Sequence, residues 1–200
     1  ELMTSATITD RLVALSRALI GRIRGGLAQV NVLVSMFFAG MNGSVVADTA
    51  TVGALVLPAM KKAGYPAAFS AAVTGVSSTI GGIIPPSIMM IVLANATEIS
   101  IASLFAAGII PGILIGVVIM VINHYFAVKY NFERSDESFS IRRAGKELYR
   151  SSFALLIPLV LVGSVMGGVA SVVEAGAITA MVALFTGVFV YRTITWKDCT

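Results

Sequence analysis

Gly40-Met41-Asn42-Gly43-Ser44 interrupts an apolar run that extends from Leu27 to Met60, and Gly81-Gly82-Ile83-Ile84-Pro85-Pro86 interrupts a second, from Ala67 to Ala94. In hydrocarbon every backbone N–H and C=O needs a partner, so non-helical backbone at that depth survives only where it lines a cavity or a site. A pair of Gly/Pro-interrupted segments therefore points to a transport site. The two interruptions differ in kind. Glycine lets the chain turn at 40–44 without a Cβ penalty. Pro85 and Pro86 remove two donors and bias Ile84 away from helix, which leaves carbonyls free.

Working outward, Leu27 to Met60 would make about 50 Å of continuous helix, too long for one span. Its arms are too short for two spans of about 20 residues each. Arg22 and Arg24 precede it and Lys61 and Lys62 follow it, so both ends lie on the same side. The expectation is a re-entrant hairpin over 27–62 with its tip near Asn42-Gly43-Ser44. A broken transmembrane helix follows over 66–97, entered through the turn signal Gly64-Tyr65-Pro66. Further spans are expected at 103–128, 153–168 and 173–192. Between them 129–152 reads as a cytoplasmic or interfacial linker with a short helix from Ile141 to Tyr149. Residues 1–26, with Leu12, Leu15, Leu19 and Ile23 at helical spacing, read as an interfacial amphipathic helix, or else as a solvent-facing connector. On this layout every basic cluster falls on one side. The expected class is an all-α polytopic membrane protein.

Composition agrees. The 200 residues are 57% hydrophobic and 12% charged, with a mean hydropathy of +0.93; a soluble domain carries about a quarter charged residues. The net charge of +4 comes from 14 Lys and Arg outside the apolar runs. That is the signature of cytoplasmic loops rather than of nucleic-acid binding. Cys199 is the only cysteine, which excludes an internal disulfide and a cysteine metal site. No G-x-x-x-x-G-K-[ST] loop is present, so nucleotide hydrolysis by that route is excluded. The chain reads as an internal piece of a longer polytopic protein.

Several motifs together resemble one family. They are Phe38 to Asp48 (FAGMNGSVVAD), Pro58 to Tyr65 (PAMKKAGY), Phe69 to Thr74 (FSAAVT), Ser77 to Ile88 (SSTIGGIIPPSI), and the tail Val172 to Ala177 with Val190-Tyr191-Arg192. The chain is similar over nearly its whole length to the large membrane subunit of tripartite ATP-independent periplasmic (TRAP) transporters. The resemblance implies an elevator-type secondary transporter of the ion transporter superfamily, set in a bacterial inner membrane. It implies a small membrane subunit and a periplasmic substrate-binding protein as partners. Sodium gradients would drive uptake of an organic acid. This chain would be most of the first of two inverted halves. Two departures stand out. The tip reads Asn42-Gly43-Ser44 where the family typically has Ser-Gly-Ser, and Gly82 takes the place of a proline before the break.

Carried over position by position, the resemblance assigns Na⁺ to Asn42 and Ser44 at the tip and to the carbonyls of Gly81, Ile84 and Pro86 at the break. Oxygen ligands suit such a hard cation. The alternative is that these groups merely cap helix ends. Ser77, Ser78 and Thr79 either meet the substrate carboxylate or bond back to helix carbonyls. Asp48, ionisable at membrane depth, is a functional candidate by default, as an electrostatic tuner or a gate; a carboxylate favoured by a helix N-terminus is the other reading. Glu174 is expected at a helix start. Gly112/Gly116 and Gly163/Gly167 match G-x-x-x-G and are expected to mark close packing. The long helices around 104–128 and 153–168 are assigned to scaffold or arm elements. Three rival functions remain on sequence grounds: a single-protein sodium/carboxylate carrier, a polytopic enzyme using Asp48 with Ser44, and a non-transporting structural subunit.

Overall fold

A computed structural model describes residues 8–20, 23–132 and 141–185. Among them are eight α-helices and one 3₁₀ turn, with no strand. The helices are α1 (Ile8–Ile20), α2 (Gly26–Asn42), α3 (Val45–Lys62), α4 (Ala67–Ser78), α5 (Ile88–Thr97), α6 (Ile101–Lys129), α7 (Ile141–Met166) and α8 (Val172–Phe185). The 3₁₀ turn, Thr79–Gly82, joins α4 to the break. The family-like tail at Val190, Tyr191 and Arg192 lies outside the described residues, as does the last part of the span expected over 173–192.

The core is built around α2. Its sequence is predominantly apolar with no charged face, and a helix of that kind is buried on most sides. Ala28, Val32, Val34 and Ala39 are fully buried, and Val52 and Met60 of α3, Val73 of α4 and Ile80 join the same cluster. α2 and α3 run antiparallel as a hairpin, since Asn31 near the start of α2 reaches the Met60 sulfur near the end of α3 at 3.7 Å. With 17 and 18 residues, each arm is about 26 Å long, short of a hydrocarbon core of about 30 Å. α6, 29 residues long, is the one described helix long and apolar enough to cross a membrane. It exposes Ile110, Leu114, Val117 and Val121 on one face.

The glycines of α6 make the close approach expected of Gly112 and Gly116. An added Cβ at Gly116 would stand 2.5 Å from the Met36 sulfur of α2, and one at Gly112 would overlap Ile84 in the break. Gly163 makes no such approach among the described residues. α6, assigned on sequence to a scaffold, thus lies directly on the hairpin and the break.

Two elements differ from the sequence reading. The short helix expected over 141–149 and the span expected over 153–168 are one continuous helix, α7. Of the stretch read as a linker, residues 141–152 occupy the first turns of an amphipathic helix, which Pro158 does not end, and residues 133–140 lie outside the described residues. α1 keeps its helix but directs Leu12 and Leu15, both fully buried, into the protein, packing on α7 and α2. Its carbonyl at Arg11 accepts from the Ser151 hydroxyl of α7 at 3.2 Å. Leu19 remains exposed.

Candidate functional site

The hairpin tip is a two-residue turn. Gly43 ends α2 at φ 58°, in the left-handed region that glycine occupies freely. Its N–H donates to Ala39 carbonyl at 3.3 Å. Ser44 then caps α3, its hydroxyl accepting from the Ala47 N–H at 3.4 Å. The Asn42 amide oxygen accepts from the Ser44 N–H at 3.2 Å, closing a side-chain turn over the glycine.

Beyond Gly82 the second helix opens. The Ile83 and Ile84 N–H groups both donate to the Ile80 carbonyl at 2.9 Å. The chain then runs through Pro85 and Pro86, joined by a cis peptide, to Ser87. That hydroxyl donates to the Gly82 carbonyl at 2.7 Å and accepts from Met90 N–H at 3.3 Å, so one side chain closes the break and starts α5. Among the described residues no backbone N–H reaches the Ile84 or Pro86 carbonyl oxygen: four positions on, the Ile88 N–H donates to the Gly43 carbonyl and the Met90 N–H to the Ser87 hydroxyl.

Tip and break touch. The Ile88 N–H donates to the Gly43 carbonyl at 3.3 Å. A Cβ on Gly43 would overlap the Pro86 carbonyl oxygen, and one on Gly81 would lie 3.7 Å from the Ser44 carbonyl oxygen. Asn42, Ser44 and Ile84 are half-buried, and Gly81 and Pro86 are buried. The five candidate positions are therefore neighbours, with neutral oxygens as their common chemistry. Each oxygen has two lone pairs, so the single hydrogen bonds accepted by Asn42 and Ser44 leave acceptor capacity. Among the described residues no three His, Cys, Asp or Glu gather into a metal-binding group.

The three candidate substrate hydroxyls bond back to their own helix. Ser78 donates to the Thr74 carbonyl at 2.8 Å, and Thr79 to the Val76 carbonyl at 2.7 Å. Ser77 lies within bonding distance of the Thr74 carbonyl, at 3.1 Å, and of the Asn31 amide oxygen, at 3.2 Å. Ser77 and Ser78 are fully buried; Thr79 alone of the three is exposed. Helical register explains this: positions 70, 74, 77 and 78 of α4 share the face that packs on α2.

That face holds a network which the sequence reading passed over. The Asn31 amide donates to the Thr74 hydroxyl at 2.7 Å, and the Ser35 hydroxyl donates to Ser77 at 3.3 Å. Asn31 and Ser35 are four apart on α2, and both are fully buried. The signal was present, since polar side chains at helical spacing in an otherwise apolar helix act as interhelical glue.

Asp48, in the first turn of α3, faces the same seam and is fully buried. The Ser35 and Ser78 hydroxyls stand beside its carboxyl. Their protons, however, are directed at Ser77 and at the Thr74 carbonyl. Neither Asp48 oxygen meets hydrogen-bond geometry with a neighbour. Glu174 does sit at a helix start: it accepts from the Ser171 N–H at 2.8 Å, while the Ser171 hydroxyl accepts from the Glu174 N–H at 3.3 Å. This is a reciprocal cap.

On the other side of the break an open apolar groove of about 530 Å³ runs between Met36, Phe37, Gly40, Pro85, Leu155 and Pro158.

A family model described as the DctM component of tripartite ATP-independent periplasmic transporters matches residues 1–200. The chain belongs to the DctM family of TRAP transporters. It is 36% identical over 197 residues to a C4-dicarboxylate TRAP transporter large permease protein of Pseudomonas aeruginosa, covering 98% of this chain and 46% of the relative. It is 35% identical over 195 residues to a sialic acid TRAP transporter large permease protein of Vibrio cholerae, with 98% and 45% covered. A 2,3-diketo-L-gulonate TRAP transporter large permease protein of Escherichia coli is 35% identical over 196 residues, with 98% and 46% covered. The chain thus spans about half the length of these DctM-family relatives. The family is one of helical integral membrane permeases, and the relatives named here are permeases rather than enzymes.

Proposed function

We propose that this chain forms the hairpin and broken-helix part of a sodium-coupled importer of an organic acid anion. The importer works by an elevator movement in a bacterial inner membrane. The hairpin α2–α3 re-enters from the cytoplasmic side, and α4, the break and α5 cross beside it. A small membrane subunit and a periplasmic substrate-binding protein complete the system. Na⁺ is cargo that binds between tip and break, on the Asn42 and Ser44 side chains and the Gly81, Ile84 and Pro86 carbonyls. A neutral cage suits an ion that must bind and leave again. Bound sodium orders the tip, and the substrate anion docks beside it, where Thr79 is the exposed hydroxyl. Asp48, behind the tip, tunes the field at the ion.

One observation carries this reading: the tip and the break meet while the Ile84 and Pro86 carbonyls, among the described residues, receive no backbone hydrogen bond. The relatives' names point the same way, although their printed substrates differ from one another. The test is uptake of a panel of organic acids into proteoliposomes by the full-length permease with its partner subunits, across a sodium series. The pair Asn42→Ala and Ser44→Ala should raise the sodium concentration for half-maximal uptake by about tenfold or more, the scale of losing metal-site contacts. Unchanged sodium-driven uptake in the double variant would overturn the assignment.

A further inference from the structure

We propose that Gly108 of α6, seconded by Gly112, is a positioning residue that sets where the carbonyls of the break point, and so tunes the affinity for the coupling cation. The proposal rests on the sodium cage described above. Three glycines of α6, at 108, 112 and 116, are buried on one face, yet they meet different things. A Cβ at Gly108 would overlap the Ile83 carbonyl oxygen and the Met90 methyl. A Cβ at Gly112 would overlap Ile84 Cγ1 and stand 3.5 Å from the Ile84 backbone nitrogen. At Gly116 the nearest atoms it would meet belong to the Met36 side chain, with the sulfur at 2.5 Å and the methyl at 2.9 Å.

The distinction is mechanical. Methionine is unbranched and adaptable, so Met36 and Met90 can swing aside. The Ile83 carbonyl cannot. Its peptide is tethered from the other side, because the Ile83 and Ile84 N–H groups both bond to the Ile80 carbonyl at 2.9 Å. A methyl at Gly108 therefore pushes a held peptide, and the displacement passes directly to the next carbonyl, that of Ile84, in the cage. Outer partners of a metal ligand act on affinity in this way, without touching the ion.

The test uses the full-length permease assembled with its partners and compares wild type with Gly108→Ala, Gly112→Ala and Gly116→Ala. Gly75→Ala, which points a methyl into open space, is the control for helix propensity. Two readouts are taken: the sodium concentration for half-maximal uptake against the maximal rate, and the sodium dependence of thermal stabilisation of the purified complex. Gly108→Ala should raise the sodium half-point by about tenfold in both, at the low end of outer-partner effects on metal affinity. Its maximal rate at saturating sodium should be retained, and Gly112→Ala should shift the half-point less. Gly116→Ala and Gly75→Ala should match wild type. An unshifted half-point in Gly108→Ala overturns the proposal, as does an equal shift in Gly116→Ala. Failure of both Gly108→Ala and Gly112→Ala to fold, while Gly116→Ala folds, assigns these glycines to packing alone and also overturns it. A wild type with no sodium dependence in either readout defeats the transport reading instead.

Discussion

Two polar places lie about one helix turn apart in this molecule, and they are built in opposite ways. In the seam between α2 and α4, hydroxyls and an amide find partners among themselves and on helix carbonyls: Asn31 on Thr74, Ser35 on Ser77, Ser78 on the Thr74 carbonyl. At the tip and break, proline has removed donors and left acceptors; Ser87 closes the Gly82 carbonyl and the Ile88 N–H closes that of Gly43. The first place joins two helices. The second offers oxygens to something that brings its own positive charge. Polarity inside an apolar protein is thus no guide to function by itself; the balance of donors to acceptors is. Asp48 belongs to neither pattern, since its carboxyl is enclosed by the seam and yet unpartnered.

The sharpest way to break this contrast is at the tip. Gly43→Ala places a Cβ in left-handed backbone, which costs about 1–2 kcal/mol, and drives it into the Pro86 carbonyl oxygen. The expected outcome is loss of sodium-dependent uptake together with a lower unfolding temperature in detergent. Next comes the seam. Asn31→Leu removes the bonds to Thr74 and Ser77 and should destabilise the folded protein by about 1–2 kcal/mol, given the modest worth of single interhelical hydrogen bonds. Sodium half-saturation should stay at the wild-type value, and a shift comparable to that of Asn42→Ala would merge the two places into one. The smallest effect is at their border. Ser87→Ala loses the cap of α5 and should cost about 1 kcal/mol, read by denaturant unfolding. Because the Gly82 carbonyl is freed at the same time, selectivity among small cations is the accompanying measurement.

Much of the candidate site was legible because glycine and proline act locally. Gly43 permits a left-handed turn that other residues resist, Pro85-Pro86 cannot continue a helix, and the structure brings turn and break together. What sequence left open was which way side chains face. Ser77 and Ser78 could point to a ligand or back into the protein, and only the register of α4 on α2 decides for burial. Asn31 and Ser35 carried a readable spacing but sat in a run dominated by Val, Leu and Phe, where apolar content masks them. The polar stretch ahead of Phe153 was misread for the converse reason. Its charges look like a loop, but α7 continues through them, and there the Ser151 hydroxyl bonds to the Arg11 carbonyl of α1, a partner distant in sequence.

That continuity has a mechanical outcome. α7 has 26 residues, and at 1.5 Å per residue it is a rod about 39 Å long. Its charged beginning carries Arg142 and Lys146, while farther along Pro158 rests on Gly40, with its Cβ 3.1 Å from where a Cβ on that glycine would stand. Between that charged beginning and Pro158 the helix is unbroken, so a tug on Arg142 or Lys146 meets no slack there. It arrives as tilt against the last turn of α2, immediately before the tip.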